Sequence, residues 1–232
     1  MSEVILYEFH GCPFCRKVRA ALRLKGMPFT RKIVSTTADY AELGRYNPLR
    51  QAPVLVVGGD VVRDSTDILH YIEARQPMPP LFPKDQSLGA LCHFVEDWAD
   101  ESLSWFGSSF RWVDRRNKGT AQKQLKLSGK NPFARLFPDL GQFVGRLRAI
   151  GQGMGRKSPE RLEAEFERHL SRLSDLLRGK SYFFGDQPSA ADIAVWSQLR
   201  ALKYCTQERL VTQHEIIGPF LDRMDQSLGD GE

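Results

Sequence analysis

From Pro77 to Pro83 the chain reads Pro-Met-Pro-Pro-Leu-Phe-Pro, four prolines in seven residues. Proline lacks an N–H and its ring fixes φ, so this stretch can be neither helix interior nor central strand. It divides two different patterns. Before it, Val4–Phe9 is a short apolar run that predicts a buried strand, broken at His10-Gly11. Pro13 suits a helix first turn, Val18, Leu22 and Met27 keep a helical period, and Gly26 is a natural stop. Phe29–Val34 predicts a second strand, and Ala38–Tyr46 a helix ended by Asn47-Pro48. Val54–Val57 and Val61–Arg63 flank the hairpin signal Gly58-Gly59-Asp60. Ser65 is read as the N-cap of a helix carrying Ile68, Leu69 and Ile72 to about Gln76. The order is β-α-β-α-β-β-α.

Beyond the prolines no strand pattern stands out. Leu88–Trp112 has Leu91, Val95, Trp98 and Leu103 at helical spacing, and Pro132 and Gly151–Gly155 break the chain after it. Pro159–Leu177 places Leu162, Phe166, Leu170, Leu173 and Leu177 on one face. Ser189–Tyr204 and Ile216–Leu228 predict two more helices. The expected organisation is an α/β domain at 1–77, a linker at 78–86 and an all-helical domain at 87–232.

With 41% hydrophobic and 26% charged residues, the 232-residue chain is not disordered as a whole. No apolar run reaches the roughly 18 residues needed to cross a bilayer, and Met1–His10 does not read as a secretory signal. Four cysteines are too few for a disulfide framework, so a reducing cytoplasm is expected. The formal net charge is +5, but residues 111–157 alone hold 12 Lys and Arg against 2 Asp and Glu. One concentrated stretch is not a uniformly basic surface, so neither a nucleic-acid nor a membrane partner is expected. The stretch reads as a solvated face or as a site for an anionic ligand; lying after an aromatic cluster, it is expected to favour anionic substrates.

Cys12-Pro13-Phe14-Cys15 carries the strongest chemical signal. The thiolate is cysteine's reactive form, and a helix N-terminus stabilises it through unpaired N–H groups and the dipole. Cys15, one turn on, is placed to reach back toward Cys12. After a first strand in a cytosolic chain, this spacing points to redox chemistry. Half a zinc site and a pair of unreactive structural thiols compete with that reading. Cys92 and Cys205 supply no second pair and read as small buried hydrophobes, so no metal is expected.

Together with Gln51-Ala52-Pro53-Val54 and Asp64-Ser65, this motif and element order resemble the glutathione transferase superfamily over nearly the whole chain. Within it, Cys-Pro-Phe-Cys resembles glutaredoxins. The resemblance implies a thioredoxin-like N-terminal domain followed by a helical glutathione-transferase C-terminal domain, a homodimer, and glutathione as co-substrate. Pro53 resembles the family's cis-proline, with Ala52 pairing its backbone to the cysteinyl part of glutathione. Phe14 and Gln51 fall at glutathione-contacting places, and Asp64-Ser65 at the place that holds the γ-glutamyl group. Trp105, Phe106, Phe110 and Trp112 fall where the family borders its co-substrate pocket. Ser189 and Asp192 match the family's helix-capping motif. The implied activity is glutathione-dependent thiol–disulfide exchange or deglutathionylation with Cys12 as nucleophile and Cys15 as a resolving thiol. Conjugation of glutathione to an electrophile, or its removal from one, and a non-catalytic binding module are the alternatives.

Overall fold

The structure, a computed structural model, describes residues 3–120 and 138–229. Four strands form one sheet in the order β2-β1-β3-β4. β1 (Val4–Glu8) is parallel to β2 (Thr30–Ile33) and antiparallel to β3 (Val54–Val57). β3 in turn pairs antiparallel with β4 (Asp60–Arg63). α1 (Pro13–Leu24) crosses from β1 to β2, α2 (Thr37–Tyr46) leads into β3, and α3 (Ser65–Arg75) follows β4.

Strand side chains alternate between faces, and the sequence supplies apolar groups to both. Leu6, Leu55 and Val57 enter the main core with Val18, Leu22, Ile68 and Leu69 of α1 and α3. Tyr7, Val54 and Val56 pack on the other face with Val34 and with Leu43 of α2. β3, covered on both sides, is buried at all four residues, which is why it reads as an unbroken apolar run. The edge strands β2 and β4 carry charged, mostly exposed residues that discourage further pairing.

From Gln86 onward the described residues outside turns are helical. α4 (Gln86–Trp98) and α5 (Ser104–Trp112) are joined by a π-helical turn at Ala99–Leu103, so the single helix expected over Leu88–Trp112 carries a widened turn. Its apolar spacing is also only partly inward: Leu88, Leu91 and Phe94 are exposed, whereas Leu103 is buried. α6 (Pro138–Gln152) crosses α5 closely, and a Cβ on Gly145 would stand 2.5 Å from the Trp112 ring. α7 (Pro159–Leu177) buries the apolar face its sequence predicts. α8 (Ala190–Arg200), α9 (Glu208–Thr212) and α10 (Ile217–Leu228) complete this part. α8 ends earlier than the expected Tyr204, and Ser189 with Asp192 forms a reciprocal capping box at its start. Pro132 and much of the basic stretch, residues 121–137, lie outside the described residues. No described helix is long and apolar enough to cross a membrane.

α1 packs along α8 and also meets α3 and α10. It is therefore a main element through which the sheet domain meets the helical part, with α3 adding Ser65 and Thr66.

Candidate active site

Register brings the sequence-predicted residues to one end of the sheet. Tyr7 of β1 pairs with Val54 of β3, and Val54 also pairs with Arg63 of β4. The C-terminal end of β1, the N-terminal end of β3 and the C-terminal end of β4 thus coincide. Cys12 follows the first, Pro53 precedes the second, and Asp64-Ser65 follow the third. The Ala52–Pro53 peptide bond is cis. Asn47, buried, orders the approach to it by donating from Nδ2 to Gln51 O at 2.9 Å and accepting from Leu49 N at 3.1 Å. Gln51 is exposed, Ala52 and Phe14 are half-buried and Pro53 is buried.

Cys12 is the N-cap of α1, with extended backbone (φ −75°, ψ 121°) and proline immediately after it. Pro13 costs no hydrogen bond there, because the first N–H groups of a helix have no partner within it. The thiol of Cys15 stabilises the Cys12 thiolate most; the backbone N–H groups of Cys15 and Phe14 and the charge of Arg16 add to it. These outweigh burial and hold the Cys12 thiol below its ordinary pKa. Cys15 is driven the other way: burial, and then the neighbouring Cys12, push its pKa well up. Cys12 is half-buried and Cys15 fully buried. Cys12 is thus the more readily deprotonated of the two thiols and Cys15 the one that holds its proton, an ordering that belongs to the pair.

Ser65 departs from its expected place. Asp64, with φ 69°, is the N-cap of α3, and its carboxylate accepts from Thr66 N at 2.8 Å. Ser65 is instead the first helical residue and is buried. Its hydroxyl donates to Asp100 Oδ2 at 3.3 Å and receives Lys17 Nζ at 3.3 Å. Sequence reasoning missed that cluster. Lys17 of α1, fully buried, also bonds to Glu96 and Asp100, and to Thr66 Oγ1 at 3.2 Å. Burial raises the pKa of Asp100 against the pull of Lys17. The π-helical turn is the segment that carries Asp100. Nothing in the local spacing of Lys17 signals carboxylates 79 and 83 residues away.

The aromatic set expected at the co-substrate pocket divides. Phe106 and Phe110 are core residues, packed on Phe166 at ring distances of 5.5 Å, so neither lines an opening. They take the inward face of α5, because helix positions four apart share a side. Trp105 and Trp112 are half-buried. Of the basic stretch, Arg116 is paired with Asp114 at 2.6 Å and Glu163 at 2.7 Å, whereas Arg111 turns inward to Ala201 O. Among the described residues no group of three or more His, Cys, Asp or Glu is arranged to hold a metal ion.

Comparison with known proteins agrees with this geometry at the level of family. The family model of the glutathione S-transferase N-terminal domain matches residues 6–80, and that of the C-terminal domain matches 156–223. Glutathione S-transferase 1 of Dianthus caryophyllus is 39% identical over 154 residues, 53% of this chain and 68% of that protein. A probable maleylacetoacetate isomerase of Drosophila melanogaster is 33% identical over 148 residues, 52% of this chain and 65% of the relative. Among solved structures, the β-etherase LigF of Sphingobium superposes with a TM-score of 0.66 at 25% identity, over 97% of this chain and 95% of that one. With a four-stranded sheet, a cis-proline at the same sheet end as a helix-capping cysteine, and a helical second part, the chain belongs to the glutathione S-transferase superfamily.

Proposed function

We propose that this chain is a glutathione-dependent enzyme whose reaction is thiol–disulfide exchange, with Cys12 as nucleophile. The observation that carries the reading is the opposed pair of thiols, Cys12 lowered and Cys15 raised in pKa, at the N-terminus of α1. The Cys12 thiolate attacks the glutathionyl sulfur of a mixed disulfide. The S–S bond breaks, the substrate thiolate leaves and takes up a proton, and Cys12 retains the glutathionyl group. A second glutathione, reacting as thiolate, displaces Cys12 and departs as oxidised glutathione. Alternatively Cys15 displaces reduced glutathione, and the Cys12–Cys15 disulfide is then reduced by two further glutathiones. Phe14, Gln51, Ala52, Pro53, Asp64 and Ser65 bind the glutathione in this reading. The apolar stripe of Leu88, Leu91 and Phe94 supports a homodimer, which sedimentation at twice the chain mass checks.

The test is turnover of a glutathionylated thiol. Cys12→Ser is expected to lower the rate by more than about a thousandfold, as loss of a nucleophile does. Cys15→Ser separates the two resolving routes, since only the monothiol route survives it. Activity of Cys12→Ser near that of the native protein rejects the reading. The names of the relatives favour a second reading, glutathione transfer to or from a carbon electrophile. Turnover of chlorinated aromatics, activated alkenes or glutathionyl ketones, with none on disulfides, selects it instead.

A further inference from the structure

Glu167 and Arg209 carry opposite charges, line one cavity and form no ion pair with each other. The cavity, about 390 Å³, is bounded by Glu167 and Leu170 of α7, Arg209 and Leu210 of α9, and Gln213 and His214 just after α9. Its size is at the small end of ligand sites, which run from roughly 300 to 1,000 Å³. None of its lining residues is among those assigned to glutathione above.

Neither charge has a partner on its own helix. Glu163, Ala164, Leu170 and Ser171 stand three and four residues from Glu167, and Cys205, Thr206, Thr212 and Gln213 stand so from Arg209. Neither set holds an opposite charge. Two earlier glutamates of α7 are treated differently: Glu163 receives Arg116 at 2.7 Å, and Glu165 receives Arg161 at 3.1 Å. Among the described residues, Glu167 and Arg209 have no ion pair or side-chain hydrogen bond at all. The cavity also holds a fixed donor. His214 Nδ1 accepts from Ile216 N at 3.3 Å and Ile217 N at 3.5 Å at the start of α10, so a ring proton sits on Nε2. Leu170, buried, and Leu210, half-buried, add an apolar wall from each helix.

We infer that this cavity binds a small apolar zwitterion, a free amino acid or dipeptide, apart from the reactive thiols. Glu167 takes the ammonium, while Arg209, His214 Nε2–H and the Gln213 amide take the carboxylate. Leu170 and Leu210 meet the apolar side chain. The planar fork of arginine suits a carboxylate. A simple anion would share the cavity with Glu167 and a simple cation with Arg209, each meeting a like charge, so a molecule bearing both charges fits best.

Calorimetric titration of the full chain with L-leucine and with L-leucyl-L-leucine tests this without requiring turnover. At least one of them is expected to bind, and saturating S-methyl glutathione should leave that binding unchanged. N-acetylation or C-terminal amidation of the bound probe should each weaken it about tenfold, the low end for a charge-assisted hydrogen bond. Glu167→Gln should weaken the free probe to a similar degree but not the N-acetylated one. Arg209→Gln should weaken the free probe but not the amidated one. Both side chains are exposed and unpartnered, so both variants are expected to fold, and the blocked probes test the native protein in any case. Neither probe binding up to about 10 mM overturns the site. So do blocked probes that bind as well as free ones, displacement by S-methyl glutathione, or affinities unchanged in the variants. These outcomes leave the Cys12 reading as it stands.

Discussion

α1 and α8 lie against each other, and both are buried over most of their length. Their compositions are opposite. α8 is buried from Ala190 to Leu199 and is mostly small and apolar there, so its burial is evident from its composition. α1 is buried from Cys15 to Leu22 even though that run contains Arg16, Lys17 and Arg19. An apolar helix is accepted into a core by any neighbour of the right shape, whereas a charged one needs a chosen partner at each cation. Lys17 finds two carboxylates from the helical part, Arg19 finds Glu8 of β1, and Arg16 reaches a carbonyl of α8. The helix that carries Cys12 and Cys15 at its start is therefore held by specific electrostatic contacts to both halves of the molecule.

Removing Lys17 should break this contrast most strongly. Lys17→Met leaves Glu96 and Asp100 facing each other in a dry site, and a loss of about 3–5 kcal/mol in urea unfolding is expected. Lowering the pH should recover part of it, because the two carboxylates then take up protons. The triple change Lys17→Met, Glu96→Gln, Asp100→Asn should recover most of it at neutral pH. A single Lys17→Met protein within about 1 kcal/mol of the native one would show that the cluster is a bystander.

α8 carries a smaller electrostatic signature of its own. Burial pushes the Asp192 carboxyl up to about 6, although the Ser189 hydroxyl and the N–H groups of Phe183 and Ser189 oppose the shift. A folded pKa above the unfolded value means that folding takes up a proton between about pH 4 and pH 6. This group's contribution is therefore greatest below that window and declines as pH rises through it, by up to about 3 kcal/mol. Asp192→Asn should flatten that slope. Thermal melts of the native and variant proteins from pH 4 to 7 check it, and a stability difference that does not change with pH contradicts it.

The same contrast explains what the sequence made legible. Features set by neighbours in the chain were readable: the strands, the thiol pair at a helix start, the capping box of Ser189 and Asp192, and the apolar face of α7. Ser65 misled because a serine before an apolar run has the local look of an N-cap, while Asp64 adopts the left-handed backbone and takes that place. Phe106 and Phe110 looked like pocket lining because aromatic residues serve cores and pockets alike. Lys17 and Arg111 were invisible as a type. Their partners lie 48 to 90 residues away, and only packing selects which distant hydroxyl, carbonyl or carboxylate a cation meets.

The widened turn at Ala99–Leu103 acts as a phase setting. A regular α-helix advances about 100° per residue, so one residue gained or lost in that turn rotates all of α5 by that angle relative to α4. Phe106 and Phe110 would then leave the core, and Arg111 would swing away from the end of α8. A change of chain length there, with no change in residue chemistry, would turn a different face of α5 toward the core. Which side chains of α5 enter the core is written partly in helical register, where a count of residues matters as much as their kind.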